Sequence, residues 1–320
     1  MATPTTQPSG PGSDAGSLSA GIAGASGYAG RELARLLAGH PQLSLQTAQA
    51  RSEGFDALSP DALARCDVAF LCLPHGASRP FGEAIASAGT AVVDLGSDFR
   101  LDPDWAYGLT ELFRQDVLDS RQIANPGCYA TAATLALAPL AEAGLLDAPV
   151  AIDGKSGVSG AGKKATERTH FCSAAEGIEP YSPVGHHHQL EIEAQLRSLG
   201  DPELTVTFTP HLAPFSRGLL VTAYGRLAGP ATQDELRELY AERYAGEPFV
   251  QLVDAPRTQV VRGANACHVS VWVDEERGVV IAAAALDNLV KGAAGQAIQN
   301  ANLMLGLDEG LGLPVEGLWP

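Results

Sequence analysis

The fold is decided by Leu18-Ser19-Ala20-Gly21-Ile22-Ala23, followed by Gly24-Ala25-Ser26-Gly27-Tyr28-Ala29-Gly30 and then Arg31 to Ala38. The apolar hexapeptide predicts a strand, and three leucines at helical spacing after the glycines predict a helix. In dinucleotide-binding domains such glycines let the backbone approach a pyrophosphate at the helix N-terminus. The spacing is G-x-x-G-x-x-G rather than G-x-G-x-x-G, so a plain strand-to-helix turn stays open as an alternative.

Further apolar runs in the first half predict a parallel sheet. They span Leu43–Ala48, Val68–Leu73 and Ala91–Leu95, with helical segments between them. A continuous apolar run is typical of a parallel strand that is buried on both faces. Strands alternating with helices predict an α/β domain of the Rossmann type, doubly wound and parallel.

The end of the second predicted strand indicates which dinucleotide is bound. An acidic residue there would bind the ribose 2′-hydroxyl of NAD, but the chain reads Gln49-Ala50-Arg51-Ser52. A cation and a hydroxyl suit a 2′-phosphate, so we expect NADP. A surface arginine is the alternative. Pro74 follows the third strand at the edge where open α/β sheets bind ligands.

The second half has a different pattern. Leu204–Thr209 and Leu219–Tyr224 read as strands, and His268–Val273 with Val279–Ala285 reads as a hairpin. These segments predict an α+β domain with a mixed or antiparallel sheet. The segment Gly154–Lys164 is expected to be a loop that closes over an anionic ligand, with a flexible surface loop as the alternative.

The pattern predicts three regions. Residues 1–17 are expected to form a disordered tail because they carry almost no apolar side chains. Residues 18–129 and 287–320 are expected to form the NADP-binding domain, with a C-terminal helix that returns to it. Residues 130–286 are expected to form the catalytic and dimerisation domain.

Cys128 is the candidate nucleophile. It follows Gly127, which is expected to let the backbone turn sharply, and precedes an apolar run from Ala130 to Leu140 that reads as a buried helix. A thiol at a helix N-terminus is expected to have a lowered pKa, because unpaired N–H groups favour the thiolate. A small buried core thiol is the alternative.

His186, His187 and His188 form the second candidate group. Zinc ligands usually come as separated pairs that converge on one point, whereas adjacent side chains are expected to diverge, so no metal is predicted. A histidine general acid or base is the preferred interpretation. Arg217 could clamp a carboxylate or phosphate, with a structural ion pair as the alternative.

Composition limits the partners. The net charge of −16 argues against nucleic acid or an anionic membrane as a partner. Five scattered cysteines without a C-x-x-C pair favour a reducing, cytoplasmic environment.

The motifs together resemble the N-acetyl-gamma-glutamyl-phosphate reductase family of the aspartate-semialdehyde dehydrogenase-like superfamily. The resemblance runs from about Leu18 to the C-terminus, and its most specific part is Ile123–Pro139. It implies NADPH-dependent reduction of N-acetyl-L-glutamyl 5-phosphate, an acyl phosphate, to the 5-semialdehyde in arginine biosynthesis. It also implies a cysteine thioester and a homo-oligomer, a dimer or tetramer built through the second sheet.

The resemblance implies a role for each matched residue. Cys128 is the implied nucleophile and His186 the implied acid/base, with His188 as second choice. The implied cofactor-binding residues are Gly24, Ser26, Gly27, Tyr28, Gly30, Arg51, Ser52, Pro74, Ser159, Gly160 and Asn288. The implied substrate-binding residues are Asn125, Glu191, His211 and Arg217.

Two alternatives stay open. One is the related reductase of lysine biosynthesis, which acts on an aminoadipyl phosphate carried by a small protein. The combination of Pro126–Tyr129 with Lys155–Gly160 favours arginine biosynthesis, and an acidic chain is a poor match for an acidic carrier. The other alternative is a non-catalytic NADP-binding protein.

Overall fold

The computed structural model describes residues 17–318, so the predicted tail lies outside the described residues except for Ser17. The strands are β1 (Leu18–Ala23), β2 (Leu43–Gln49), β3 (Val68–Leu71), β4 (Ala91–Asp94), β5 (Ala106–Tyr107), β6 (Gln122–Ala124), β7 (Leu146–Gly157), β8 (Glu179–Pro180), β9 (Val206–Ala213), β10 (Leu219–Leu227), β11 (Val250–Leu252), β12 (Cys267–Asp274) and β13 (Val279–Leu286). The helices are α1 (Tyr28–Leu37), α2 (Pro60–Leu63), α3 (Arg79–Ser87), α4 (Thr110–Asp119), α5 (Cys128–Glu142), α6 (Phe171–Ala174), α7 (His187–Leu199), α8 (Gln233–Arg243), α9 (Thr258–Val261) and α10 (Gly295–Met304). A 3₁₀ turn spans Val158–Ala161, and a π-helical turn spans Val290–Ala294.

The first sheet is parallel and has the order β2-β1-β3-β4-β6-β5. Its central strands are buried along their length, as their continuous apolar sequences predict. Helices α1 and α10 pack into the same core, where Ile22 and Phe70 are fully buried. The prediction of a doubly wound α/β domain is confirmed.

The second sheet is mixed and has the order β11-β12-β13-β10-β7-β9-β8. Strands β7 and β9 are parallel, whereas β10 is antiparallel to both β7 and β13. The Ala- and Leu-rich helix α5 packs against β10 and β13, and nearly all of its residues are buried. The predicted hairpin of β12 and β13 and the mixed sheet are both confirmed.

Two strands are longer than their sequences predict. Strand β7 runs on to Gly157 through residues expected to be a loop, and β9 runs on through Pro210 to Ala213. The two extensions pair with each other in register, from Gly154 beside Pro210 to Gly157 beside Ala213. Pairing across the sheet therefore outweighs the local preference of glycine and proline for loops.

The C-terminal segment joins the two halves of the chain. Lys291 lies in the π-helical turn, is fully buried, and forms an ion pair with Glu111 at the start of α4. Its ammonium also donates to Gln299 of α10 at 2.8 Å. A buried charge is tolerated only when it is paired and hydrogen-bonded, so this network fixes α10 against α4. Across residues 17–318, the helices are all too short or too polar to cross a membrane.

Candidate active site

A cleft of about 680 Å³ opens where the two sheets meet. Its walls come from the glycine loop before α1, the segments after β3 and β4, the first turn of α5, the turn after β7 and the three histidines at the start of α7. The C-terminal edge of a parallel sheet is where open α/β folds bind ligands. Cys128, His186 and the glycine loop, which the sequence predicts to act together, therefore face one cavity.

Cys128 is the first residue of α5 and lies on the cleft wall. Burial raises the pKa of its thiol to about 11, although Arg100 and the backbone N–H groups of Tyr129 and Cys128 lower it. The prediction of a lowered pKa is therefore wrong, because desolvation of the thiol outweighs the effect of the helix N-terminus. The resting group is a protonated thiol.

Gly127 is required for space rather than for backbone freedom. Its φ of −71° is open to any residue, so the expected sharp turn is not the reason for glycine here. A Cβ at this position would lie 2.2 Å from Nε2 of His188 and 2.6 Å from Nη1 of Arg100. The missing side chain lets an imidazole and a guanidinium approach the backbone immediately before Cys128.

The hydrogen bonds of His186 and His188 differ. His186 is the N-cap of α7, and its Nδ1 accepts the backbone N–H of His188 at 3.2 Å. The neutral ring of His186 is thus assigned a proton on Nε2. Nδ1 of His188 is buried without a hydrogen-bond partner among residues 17–318, while its Nε2 lies 3.9 Å from Glu191.

Burial keeps these imidazoles neutral. It is the largest cause that lowers the pKa of His186 to about 4, and it also lowers the pKa of His188 well below its usual value. Nearby positive charges add to the effect, from His187 on His186 and from Arg100 on His188. A thiol and two neutral imidazoles therefore line the cleft at pH 7.

The three histidine rings converge, contrary to the expectation that they diverge. Successive ring centroids are 4.5 and 4.3 Å apart, and one nitrogen from each ring lies within 4.8 Å of the others. Helix capping turns the His186 ring back over the first turn of α7, where the other two rings lie. The absence of a metal stays a prediction from the sequence.

Most of the implied cofactor-binding residues lie on the cleft wall. These are Gly27, Tyr28, Gly30, Pro74, Ser159, Gly160 and Asn288. Ser26 and Ser52 lie beside it, with their hydroxyl oxygens 3.2 Å apart, and Arg51 is an exposed neighbour of Ser52. The hydroxyl pair joins the glycine loop to the segment after β2, where a 2′-phosphate is expected.

The glycine loop has the shape that a dinucleotide needs. Gly24 has a φ of +83°, and a Cβ there would lie 2.1 Å from the carbonyl oxygen of Cys72. A Cβ at Gly30 would lie 2.5 Å from the carbonyl oxygen of Gly24. Only glycine lets the loop approach the segment after β3, and α1 approach the loop, this closely, which leaves the N-terminus of α1 open to a phosphate. The residues present fit a dinucleotide.

Among residues 17–318, the cleft wall includes none of the four residues expected to bind substrate. Asn125 is buried, and its side chain bonds to the carbonyl oxygen of Ala293 at 3.2 Å and to Asn300 at 3.1 Å. The ring of His211 lies 3.1 Å from the carbonyl oxygen of Gly154, in the second sheet. Both side chains are used to hold backbone segments together.

Glu191 is buried beneath the cleft and accepts hydrogen bonds from three residues. Its carboxylate accepts the N–H of Gly127 at 2.8 Å, the hydroxyl of Tyr107 at 2.8 Å and the guanidinium of Arg100 at 3.0 Å. Its nearest cleft residue is His188, whose Nε2 lies 3.9 Å from the carboxylate. Glu191 therefore positions Arg100 and the turn before Cys128, rather than facing a substrate as expected.

Arg217 forms the structural ion pair that the sequence left as the alternative. Its guanidinium lies 2.6 Å from Glu32 of α1 and 3.5 Å from Asp287. It lines a neighbouring cavity instead of the Cys128 cleft. Sequence alone could not separate the two interpretations, because Glu32 is 185 positions away.

Two cleft residues were not identified from the sequence. Arg100 brings a positive charge to the wall beside Cys128, and its other donors bond to the carbonyl oxygens of Asn125 and Leu95. Tyr181 lies on the same wall, edge-on to His186 with the ring centroids 5.6 Å apart. The sequence did contain a signal for Arg100. Asp98-Phe99-Arg100 follows β4 as Pro74 follows β3, so both segments lie at the same edge of the parallel sheet.

Comparisons with known proteins agree with this architecture. Residues 19–120 match the family model of the semialdehyde dehydrogenase NAD binding domain, and residues 128–288 match that of the semialdehyde dehydrogenase dimerisation domain. Aspartate semialdehyde dehydrogenase II from Vibrio cholerae, solved in complex with ASA, has a TM-score of 0.72 at 21% identity, covering 91% of this chain and 98% of that one. The enzyme from Candida albicans, solved with NADP, has a TM-score of 0.66 at 17% identity, covering 90% and 98%. Fold and site define an oxidoreductase of the semialdehyde dehydrogenase class with an NAD(P)-binding domain.

Full-length relatives narrow the class. An N-acetyl-gamma-glutamyl-phosphate reductase from Moorella thermoacetica is 42% identical, over 95% of this chain and all of the relative. One from Thermus thermophilus is 44% identical, over 94% of this chain and all of the relative. The chain belongs to the N-acetyl-gamma-glutamyl-phosphate reductase family.

Proposed function

We propose that this protein reduces N-acetyl-L-glutamyl 5-phosphate to N-acetyl-L-glutamate 5-semialdehyde and phosphate with NADPH, in arginine biosynthesis. The observation that carries the proposal is the position of Cys128, which opens α5 on the wall of the cleft that holds the glycine loop and two neutral imidazoles. Full-length similarity to reductases of that name supports the substrate.

The first domain and the turn after β7 would hold the cofactor. The glycine loop and the N-terminus of α1 would bind its diphosphate, and Ser159, Gly160 and Asn288 would bind its nicotinamide end. Asn288 donates to the hydroxyl of Ser159 at 2.9 Å, which fixes that turn. Arg51 and Ser52 would bind the 2′-phosphate and so favour NADP over NAD. When bound, the cofactor supplies the hydride that reduces the acyl carbon.

Cys128 supplies the nucleophile. Its sulfur attacks the acyl carbon, the bond from that carbon to the phosphate oxygen breaks, and phosphate leaves with the bonding electrons, giving a thioester. Because burial raises the pKa of the thiol to about 11, the proton must be removed as the sulfur attacks. Arg100 stabilises the negative charge that develops on sulfur, since it lowers the pKa of this thiol.

His188 accepts the proton of Cys128. Its Nε2 lies beside Gly127 and 3.9 Å from the Glu191 carboxylate, which stabilises the imidazolium that forms. Its buried Nδ1, which has no hydrogen-bond partner among residues 17–318, is the nitrogen that takes the proton. This order of nucleophile, base and acidic residue is the arrangement that activates cysteine nucleophiles. After the acyl carbon is reduced, the carbon–sulfur bond breaks, the aldehyde leaves, and the sulfur recovers its proton from His188.

His186 acts as a donor. Since its Nδ1 is occupied by the backbone N–H of His188, the Nε2–H is the group left to bond the oxygen that becomes negative on the acyl carbon. His188 is thus the base and His186 the hydrogen-bond donor, whereas the resemblance implies one acid/base residue, His186, with His188 as second choice.

The second domain forms a homodimer through the outer face of its sheet. Tyr224, Ile281 and Trp272 are neighbours across β10, β13 and β12 and therefore lie on one face. Tyr224 is 42% exposed and Trp272 is 37% exposed, on the side opposite α5. A row of exposed apolar side chains is typical of an interaction site, and the matched family model is described as a dimerisation domain.

The experiment is phosphate-dependent oxidation of N-acetylglutamate semialdehyde by the full-length protein, followed as NADPH formation. We expect turnover with the wild type and loss of at least about 10⁴-fold with Cys128→Ser, because the covalent route disappears. Cys267→Ser is the matched control, since Cys267 is buried in the sheet core away from the cleft. Normal turnover by Cys128→Ser, or no turnover by the wild type, would contradict the proposal.

A further inference from the structure

Lys163 links the two domains at the cofactor cleft. It follows the 3₁₀ turn after β7, and its ammonium donates to the carbonyl oxygen of Ser26 in the glycine loop at 3.3 Å. The side chain lines both the Cys128 cleft and a second cavity of about 660 Å³ beside it. The reaction proposed above gives Lys163 no role.

The second cavity has an excess of positive charge. Its walls carry Arg31, Arg35, Lys163, Lys164 and Arg217 against the single carboxylate of Glu32. Both oxygens of Glu32 are already paired, one with Arg35 and one with Arg217, each at 2.6 Å. Arg31, Lys163 and Lys164 form no ion pair within the part of the chain that the structure describes. In a chain with a net charge of −16, this local excess of cations favours an anion.

The turn that carries Lys163 is held in place from the second domain. The N–H of Val158 donates to Phe215 at 2.9 Å, and the N–H of Gly162 donates to Ser159 at 3.1 Å. Because the start of the turn is bonded to residues 215–216 and its end is closed by the bond from Gly162 to Ser159, the backbone that carries Lys163 has a defined position near the glycine loop.

Ser26 is the point on which the neighbouring donors converge. Its carbonyl oxygen accepts from Arg31 Nε and from Lys163 Nζ, both at 3.3 Å, and its hydroxyl accepts from Ser52. A carbonyl satisfies only one of the three donors of an ammonium, so Lys163 keeps donors for a second partner. The N-terminus of α1 that follows Ser26 is where a diphosphate binds.

We propose that Lys163 binds the diphosphate of the dinucleotide cofactor from the second domain. The inference rests on the proposed function, which requires a dinucleotide in this cleft. Since Arg51 and Ser52 are assigned to the 2′-phosphate, Lys163 contacts the part that NADP and NAD share. Cofactor affinity therefore depends on a residue of the second domain as well as on the first domain.

The test measures cofactor binding apart from turnover. Full-length Lys163→Met is titrated with NADPH and NADH by fluorescence, at several salt concentrations. We expect Kd to rise about 10-fold for both, equivalent to about 1.4 kcal/mol, with a weaker salt dependence than in the wild type. Arg65→Met is the control and should stay within about 3-fold, because Arg65 is exposed and lines neither of these two cavities. Lys163→Arg should restore most of the affinity.

Three results would overturn the assignment. One is unchanged Kd for both cofactors in Lys163→Met. The second is a loss confined to NADPH, which would place Lys163 at the 2′-phosphate. The third is unchanged cofactor binding with a raised KM for inorganic phosphate in the reverse reaction, which would make this a site for free phosphate. If the wild type bound neither cofactor, the proposed function itself would be contradicted along with the role of Lys163.

Discussion

Replacing Glu191 with glutamine tests how the charge beneath the cleft controls Cys128. Glu191 is 2% exposed and holds Gly127, Tyr107 and Arg100 through hydrogen bonds of 2.8, 2.8 and 3.0 Å. Glutamine keeps the shape and one acceptor oxygen but removes the negative charge. The guanidinium of Arg100, whose side chain is only 9% exposed, is then left without its counter-charge.

The first expected effect is on stability. Removing one partner of a buried ion pair lowers the free energy of unfolding by about 3–5 kcal/mol. Arg100 still donates to two backbone carbonyl oxygens, so we expect the free energy of unfolding to fall by about 3 kcal/mol, the lower end of that range. For domains of this size each kcal/mol lowers Tm by about 2–4 °C, so the expected fall is roughly 6–12 °C.

The second expected effect is on the thiol. The negative charge of Glu191 raises the pKa of Cys128, and the positive charge of Arg100 lowers it. The carboxylate bonds to the residue before Cys128, which puts it within about 8 Å of the thiol. A unit charge at that range contributes roughly 2 kcal/mol at an effective dielectric of about 20, between one and two pKa units. Glu191→Gln should therefore lower the pKa of Cys128, and Arg100→Met should raise it.

The assay is the rate of iodoacetamide alkylation at Cys128, followed by peptide mass mapping so that exposed Cys172 is counted separately. At a fixed pH near 8.5, below the pKa of about 11, the alkylation rate follows the thiolate fraction. Glu191→Gln should react at least about 10-fold faster than the wild type and Arg100→Met slower, with the double variant between them. Slower alkylation of Glu191→Gln, or shifts of the same sign in both single variants, would refute this account of the thiol.

Two further predictions concern arginines. Arg51→Ala should raise the KM for NADP at least about 10-fold, because the 2′-phosphate loses a charged partner, while the KM for NAD stays within about 2-fold. Equal losses with both cofactors would count against a 2′-phosphate site. Arg217→Met should lower the stability by about 2 kcal/mol through the loss of its contacts with Glu32 and Asp287, and leave the KM for the semialdehyde unchanged. A raised KM at unchanged Tm would restore Arg217 to the substrate-binding residues.

The sequence determined the elements whose stability is local. The strand, glycine loop and helix from Leu18 to Leu37 form as the residue pattern predicts. The predicted hairpin of β12 and β13 turns at residues 275–278. Each depends on interactions between residues close in the chain, which a pattern can represent. The same holds for the helix that begins at Cys128, because the apolar run from Ala130 to Leu140 lies in α5 as the pattern predicts.

Only the tertiary structure decided where the charged side chains point. Arg100 and Glu191 are 91 positions apart, and their ion pair turns Glu191 away from the cleft and holds Arg100 in its wall. The pKa of Cys128 is raised instead of lowered for the same reason, since burial of the thiol depends on packing between two domains. The convergence of the three histidine rings depends on how His186 caps α7. Desolvation and charge pairing act through space between residues that are distant in sequence. A local sequence pattern therefore cannot predict them.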